Sequence, residues 1–178
     1  MKLINTKIDD LFLIEPDKFG DSRGYFMEVY NKKTFSELTG VHVDFVQDNF
    51  SVSKKNVLRG IHFQEKPFEQ AKFIRVSEGE IFDVAVDLRK ESSTYLNWFG
   101  VKLSKENSLM MFIPKGFGHA FLTLSDFAHV NYKTDNFYNA KFDRCIIWDD
   151  PKININWPFA ESKTTPIISE KDLNGMSI

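Results

Sequence analysis

The stretch Phe73-Ile-Arg-Val-Ser-Glu-Gly-Glu-Ile-Phe-Asp-Val-Ala-Val-Asp-Leu88 contains two strand-like runs, Phe73 to Ser77 and Ile81 to Leu88. β-Branched and aromatic residues fill both runs. The Ser77-Glu-Gly-Glu80 break between them has the glycine and polar groups of a turn, so the stretch predicts two strands joined by a tight hairpin. The same punctuation continues in both directions. Upstream it marks strands at Leu3 to Ile8, Leu11 to Glu15, Tyr25 to Tyr30, Val43 to Gln47, Asn49 to Ser53 and Val57 to Gln64. Downstream it marks Trp98 to Leu103, Leu109 to Ile113, His119 to Leu124, His129 to Thr134 and Ile146 to Trp148. One short helix is expected at Lys32 to Leu38, with Asn31 as its cap and Gly40 as its stop. Asp17 to Gly24 and Glu65 to Gln70 read as longer polar loops, and the chain after Trp157 reads as a less regular tail. No helices alternate with the strands to build parallel βαβ units. The expectation is therefore one all-β domain over residues 1–178, a sandwich or barrel with few short helices.

Composition agrees with that reading. The 178 residues are 42% apolar and 15% aromatic, including 18 Phe. A chain of this size buries roughly 70% of the surface its unfolded form exposes, enough to fold without a metal or disulfide staple. The 23 basic residues against 25 acidic ones leave a net charge of -2 with no Lys/Arg cluster. That charge pattern lacks the electrostatic footprint of a nucleic-acid binder, because phosphate neutralisation supplies most of such affinity. The single cysteine, Cys145, has no internal disulfide partner and reads as a small buried strand residue. The start, Met1-Lys2-Leu3-Ile4, has no apolar signal core, and runs such as Ile81 to Val86 are short and interrupted by Asp83. A soluble, cytoplasmic protein without a membrane partner is expected.

Chemistry-bearing residues concentrate in Val57-Leu-Arg-Gly-Ile-His-Phe-Gln64. Strict alternation puts Arg59 and His62 on opposite faces, so the two share a pocket only if Gly60 bends the strand. A lone strand histidine is more often a satisfied structural group than a catalyst. Lys72, in Gln70-Ala-Lys72, changes the balance, because a Lys and an Arg near one His suit a small anion or a developing oxyanion. A second histidine, His119, leaves the Gly-rich turn Pro114-Lys-Gly-Phe-Gly-His119 and could be a simple loop residue. Tyr132 could donate a proton from an inward strand face, or could merely pack. Metal-binding β-barrels usually present two closely spaced histidines and a carboxylate from one strand pair. Here Gly60-Ile-His62-Phe-Gln64 offers one histidine, so no metal is expected.

These residues, together with Phe19-Gly-Asp-Ser-Arg23-Gly-Tyr-Phe-Met-Glu28, Gln47-Asp-Asn49, Asp83-Val-Ala-Val-Asp-Leu-Arg89 and Trp148-Asp-Asp-Pro151, are familiar in combination. From about Ile8 to Asp172 the chain resembles the dTDP-4-dehydrorhamnose 3,5-epimerases. The resemblance implies a cupin-like jelly roll, usually a homodimer, acting on a dTDP-linked 4-keto-6-deoxy sugar without metal or organic cofactor. It implies His62 as base, Tyr132 as opposing acid, Asp172 as the carboxylate orienting the imidazole, and Lys72 on the enolate oxygen. Arg23, Glu28, Gln47, Asp48, Asn49, Arg59, His119, Asp143 and Lys171 match positions that line the family's substrate site, some of them across a dimer. Ala120 stands where the family commonly has Gly, and Asp143 where it commonly has Glu.

The residues leave alternatives open. A related enzyme could invert only C3 or only C5, or use another nucleotide sugar. A non-catalytic sugar-nucleotide-binding jelly roll and a metal-dependent dioxygenase are readings of other classes. Asp83 rivals Asp172 as the partner of His62.

Overall fold

In the computed structural model, which describes residues 1–159 and 165–178, the two strands of the Phe73–Leu88 stretch lie in different sheets. The elements are β1 (Lys2–Asn5), β2 (Phe12–Glu15), β3 (Phe19–Asp21), β4 (Gly24–Phe26), α1 (Lys32–Thr39), β5 (Gln47–Lys54), β6 (Leu58–Gln64) and β7 (Lys72–Glu78). They continue with β8 (Glu80–Asp87), β9 (Trp98–Ser104), β10 (Met110–Ile113), β11 (Phe117–Thr123), β12 (Phe127–Thr134), β13 (Asp143–Cys145) and α2 (Glu170–Leu173). A six-stranded antiparallel sheet runs β1-β2-β10-β7-β12-β5 and faces a five-stranded one, β13-β6-β11-β8-β9. This is the all-β jelly-roll sandwich expected from the sequence. The expected hairpin at Ser77–Glu80 is instead a corner. Gly79, at φ 77°, passes the chain from β7 in one sheet to β8 in the other, and a Cβ there would lie 2.1 Å from the Phe127 carbonyl oxygen.

Strand alternation sorts the side chains into three apolar layers. Ile74 and Val76 from β7, Ile81 and Ala85 from β8, Phe117 and Phe121 from β11, and Ala128 and Val130 from β12 fill the space between the sheets. The opposite face of the five-stranded sheet is covered as well, with Leu58, Ile61, Val84, Val86 and Leu122 packing under Ile146, Ile153, Ile155 and Trp157. Outside the six-stranded sheet, Phe35 of α1 sits on Phe12, Phe73 and Phe112.

Helix α1 forms as its caps dictate. The Asn31 side chain accepts from the Lys33 and Thr34 amides, and Gly40 closes the C-terminus at φ 72° with its N–H on the Ser36 carbonyl. Other boundaries moved. Residues 43–46 are not strand, and β5 begins at Gln47. Asp17–Gly24, read as a loop, contains most of the small β3–β4 hairpin, and the strand expected to reach Tyr30 ends at Phe26. The strand expected at Ile146–Trp148 lies earlier, at Asp143–Cys145, because those residues find the free edge of β6. The tail is irregular after Trp157, with residues 160–164 outside those described, yet 165–178 folds back and contains α2.

Candidate active site

A bulge in β6 brings the key side chains to one face. In the β6–β11 ladder His119 pairs with His62 and Phe121 with Arg59, so β6 spends one more residue than β11 between the two pairs. The extra residue resets the alternation. Leu58 and Ile61 point outward into apolar packing, while Arg59 and His62 line one cavity. Gly60 makes this possible. Its φ is 111°, and a Cβ would lie 2.5 Å from the His119 carbonyl oxygen and 2.7 Å from the Ala120 Cβ.

The cavity has a volume of about 440 Å³ and lies between the sheets at their polar end. From the five-stranded sheet come Arg59, His62, Gln64, His119 and Asp143; from the six-stranded sheet come Gln47, Asn49, Lys72 and Tyr132. Lys171 reaches it from the folded-back tail, just ahead of Asp172.

Each of the two cavity histidines has its own carboxylate. His62 Nε2 is 2.6 Å from Asp172 Oδ1, and Asp172 Oδ2 accepts the Gly60 amide at 3.2 Å. Ser169 caps α2 and fixes the Asp172 backbone. Burial works to raise the Asp172 pKa, but the bonds from His62, Gly60 and Ser169 outweigh it and hold the carboxyl below the usual range. Asp83 does not approach His62 as a hydrogen-bond partner. It bonds His119 Nε2 at 2.7 Å, fully buried, with its Oδ2 unpaired among the described residues. Burial pulls the His119 pKa down against the attraction of Asp83.

Lys72 lines the same cavity and donates a long 3.5 Å hydrogen bond to the His62 carbonyl. Burial draws its ammonium down to about 8, opposed by the charges of Asp83 and Asp143. Burial raises the Tyr132 phenol, opposed by Arg59, so the hydroxyl keeps its proton at neutral pH. Arg59 is held by Ser53 Oγ at 3.0 Å and the Val52 carbonyl at 3.3 Å. Cys145 Sγ lies 3.7 Å from Asp172 Oδ1, and burial pushes its thiol up to about 12. His62, Cys145 and Asp172 thus bring three donor atoms within 4.8 Å of one another. The short His62–Asp172 separation is that of a hydrogen bond, whereas two ligands at ~2.0 Å from one tetrahedral ion stand farther apart.

Three expected site residues lie elsewhere. Alternation in β5 points Gln47 and Asn49 inward but turns Asp48 outward, where it pairs with Lys133 at 2.8 Å. Arg23 is exposed on the β3–β4 hairpin with Asp21 as its partner, and Glu28 accepts from the Asn31 side-chain Nδ2 at 3.2 Å. Asp143 pairs with Lys171 and accepts from the Tyr138 hydroxyl at 3.0 Å. Tyr138 and Ser51 also line the cavity, although neither was singled out from the sequence. Continuing the Gln47, Asn49 alternation would have found Ser51. For Tyr138 the only signal was an aromatic pair, Phe137-Tyr138, in a polar loop.

A family profile described as dTDP-4-dehydrorhamnose 3,5-epimerase matches residues 5–178. The chain is 51% identical over 175 residues to a dTDP-4-dehydrorhamnose 3,5-epimerase of Shigella flexneri, a match that covers 98% of this chain and 94% of the relative. It is 55% identical over 174 residues to that of Methanothermobacter thermautotrophicus, covering 97% and 92%. Among solved structures it is similar to a dTDP-6-deoxy-D-glucose-3,5-epimerase of Legionella pneumophila crystallised with dTDP-4-keto-L-rhamnose. The TM-score is 0.93 at 45% identity, covering 98% of this chain and 90% of that one. No helix among the described residues is long and apolar enough to cross a membrane.

Proposed function

The chain belongs to the dTDP-4-dehydrorhamnose 3,5-epimerase family, and from that premise we propose how its cavity performs the family's reaction. The protein is an epimerase that inverts C3 and C5 of dTDP-4-dehydro-6-deoxy-D-glucose to give dTDP-4-dehydro-L-rhamnose. The observation that carries the mechanism is the pairing of His62, on the five-stranded sheet, with Asp172 of the folded-back α2, in a cavity shared with Lys72 and Tyr132 from the other sheet.

Hydrogens on C3 and C5 are acidic because loss of either leaves an enolate with its charge on the C4 oxygen. An ionised Asp172 only accepts hydrogen bonds, so the His62 proton sits on Nε2 and the Nδ1 lone pair is free to act as base. His62 takes the carbon-bound proton and becomes imidazolium, which Asp172 stabilises. The Lys72 ammonium meets the developing oxyanion. Tyr132 delivers its phenolic proton to the opposite face of the carbon, and the centre inverts. Before the second inversion the imidazolium gives up its proton and the phenolate regains one. Arg59, Lys171, Gln47, Asn49, His119 and Asp143 hold the nucleotide diphosphate and sugar, turning remote binding into orientation at the reacting carbon. This sequence of steps needs neither a metal nor an organic cofactor.

Residues 1–178 act as a single domain in this reading, since strands from both halves of the chain interleave in each sheet. The protein works as a homodimer in the cytoplasm. Supporting the dimer, Phe19 and Phe26 on the β3–β4 hairpin are 64% and 69% exposed, and Phe50 on the outward face of β5 is 60% exposed. A second copy would cover these and carry Arg23 and Glu28 toward a neighbouring cavity.

The test is proton NMR of the keto sugar nucleotide with metal-free protein in deuterated water. Deuterium entering both C3 and C5 with inversion is expected. Incorporation at one carbon alone would identify a single-centre epimerase.

A further inference from the structure

We infer that Asp150 is a positioning residue for the reaction, acting through the folded-back segment 165–178 to hold Asp172 against His62. This rests on the roles of His62 and Asp172 given above. Trp148-Asp-Asp-Pro151 stands out in the sequence, and no residue of it lines the cavity. Asp150 is nevertheless 1% exposed. One of its carboxylate oxygens accepts the Lys152 and Ile153 amides at 2.9 and 3.3 Å, and the other accepts the Ser177 hydroxyl at 2.8 Å and the Ile178 amide at 3.0 Å. One carboxylate therefore ties its own loop to the far end of the segment.

Asp172 hangs between fixed points. On its N-terminal side Ile167 exchanges backbone bonds with Asn56 and Leu58, 2.8 and 3.0 Å long. On its C-terminal side the Met176 amide bonds the Cys145 carbonyl at 2.8 Å, and the Met176 carbonyl accepts the Ile147 amide at 3.0 Å. Gly175 lies so flat on this strand end that a Cβ would stand 2.9 Å from Ile146 and Ile147 backbone atoms. Ile168 and Ile178 add apolar contacts to the layer outside the five-stranded sheet. The single turn of α2 has too few internal bonds to stay in place unaided. Asp150 completes the downstream anchor, its two bonds to Ser177 and Ile178 closing the segment just beyond the Met176 pairing. Losing them leaves only the Met176 pair at that end and loosens the span that sets the Asp172 carboxylate 2.6 Å from His62.

The experiment is a double-mutant cycle between D150A and D172N, reading kcat and KM by sugar-nucleotide turnover. Loss of an oriented general base costs roughly 10²–10⁴ in rate, and a loosened one is expected to cost about 10- to 100-fold in kcat. KM should change less than kcat, because of the substrate-holding residues only Lys171 rides on this segment, while Gln47, Asn49, Arg59 and His119 come from other elements. In the D172N background, D150A should lower kcat by no more than about twofold, since the group it positions is already gone. Amide exchange should quicken in residues 167–178 and not in β8 or β11. S177A, which removes one of the four bonds, should show the same pattern more weakly, and it carries the cycle if D150A does not fold. An equal kcat loss from D150A in both backgrounds, or unchanged kcat with a lower melting temperature, overturns the inference alone. Full kcat in D172N overturns the dyad reading, and this inference with it.

Discussion

His62 and His119 are direct partners across the β6–β11 ladder, and each bonds a different carboxylate through Nε2. The two imidazoles differ in exposure. The His62 side chain is 31% exposed and the His119 side chain 8%. A group that must take a proton from substrate and return it to solvent needs access, which favours His62 as the base and His119 as a fixed wall.

The first prediction separates them. H62N should reduce deuterium exchange at both carbons by roughly 10²–10⁴, the usual contribution of a general base. H119N should raise KM while exchange from bound substrate continues. Loss of exchange in both variants, at saturating substrate, would count against the assignment.

How far these roles were legible depended on whether the determinant was local. The Asn31 cap and the Gly40 stop are contained within α1 and its neighbours, and they set the helix to within one residue. Gly60 was legible as a conditional: a bend would unite Arg59 and His62, and the bulge against Ala120 supplies it. Ser77–Glu80 misled because a glycine turn carries no record of which sheet receives the next strand. That choice is made by distant partners, β11 and β9 for β8, β10 and β12 for β7. The His62–Asp172 pair spans 110 residues and was reached by resemblance alone. Nothing in the local pattern of residues 165–178 announces that they fold back.

The second prediction concerns pH. Burial draws Lys72 down to about 8, while Asp83 and Asp143 favour its charged form and its ammonium donates to the uncharged His62 carbonyl. The ammonium is the form that stabilises an enolate, so this contribution is present below pH 8 and lost as pH rises through that value. Replacing Asp83 by Asn removes one supporting charge, and the alkaline limb of the exchange rate should move to lower pH. A limb that stays in place would show that Lys72 is not the group titrating there.

A third prediction tests the bulge. Gly60 at φ 111° cannot accept a Cβ without displacing the His119 carbonyl or Ala120. G60A should destabilise the protein by more than about 3 kcal/mol, since backbone strain and a clash with main chain coincide. Denaturant midpoints would measure it, and near-native stability would mean the bulge can relocate.

Away from the cavity, Asp87 should govern acid resistance. Burial works to raise its carboxyl, but bonds from Arg89, Ser92 and Thr94 hold it down to about 2. A depressed folded pKa stabilises above the ordinary value near 4, and that stabilisation disappears as pH falls toward 2. D87N should therefore unfold more easily at pH 7 by about 1–3 kcal/mol, with the difference from wild type shrinking in acid. A difference independent of pH would assign the loss to packing instead.

The last prediction concerns the second face of the substrate. Tyr132 comes from β12 in the six-stranded sheet and His62 from β6 in the five-stranded one, so a sugar ring in the cavity has one on each side. Y132F keeps the ring and removes the only proton the phenol can give. His62 can still abstract, and the enolate can still form beside Lys72, but the proton can return only from the His62 side. That return restores the original configuration and leaves solvent deuterium behind. In deuterated water Y132F should exchange C3 or C5 hydrogens with retention, while inversion drops by roughly 10²–10⁴, the usual contribution of a positioned acid. If exchange and inversion fell together, the phenol would be needed before the enolate forms, and the two-faced mechanism would have to give way to one in which Tyr132 helps generate it.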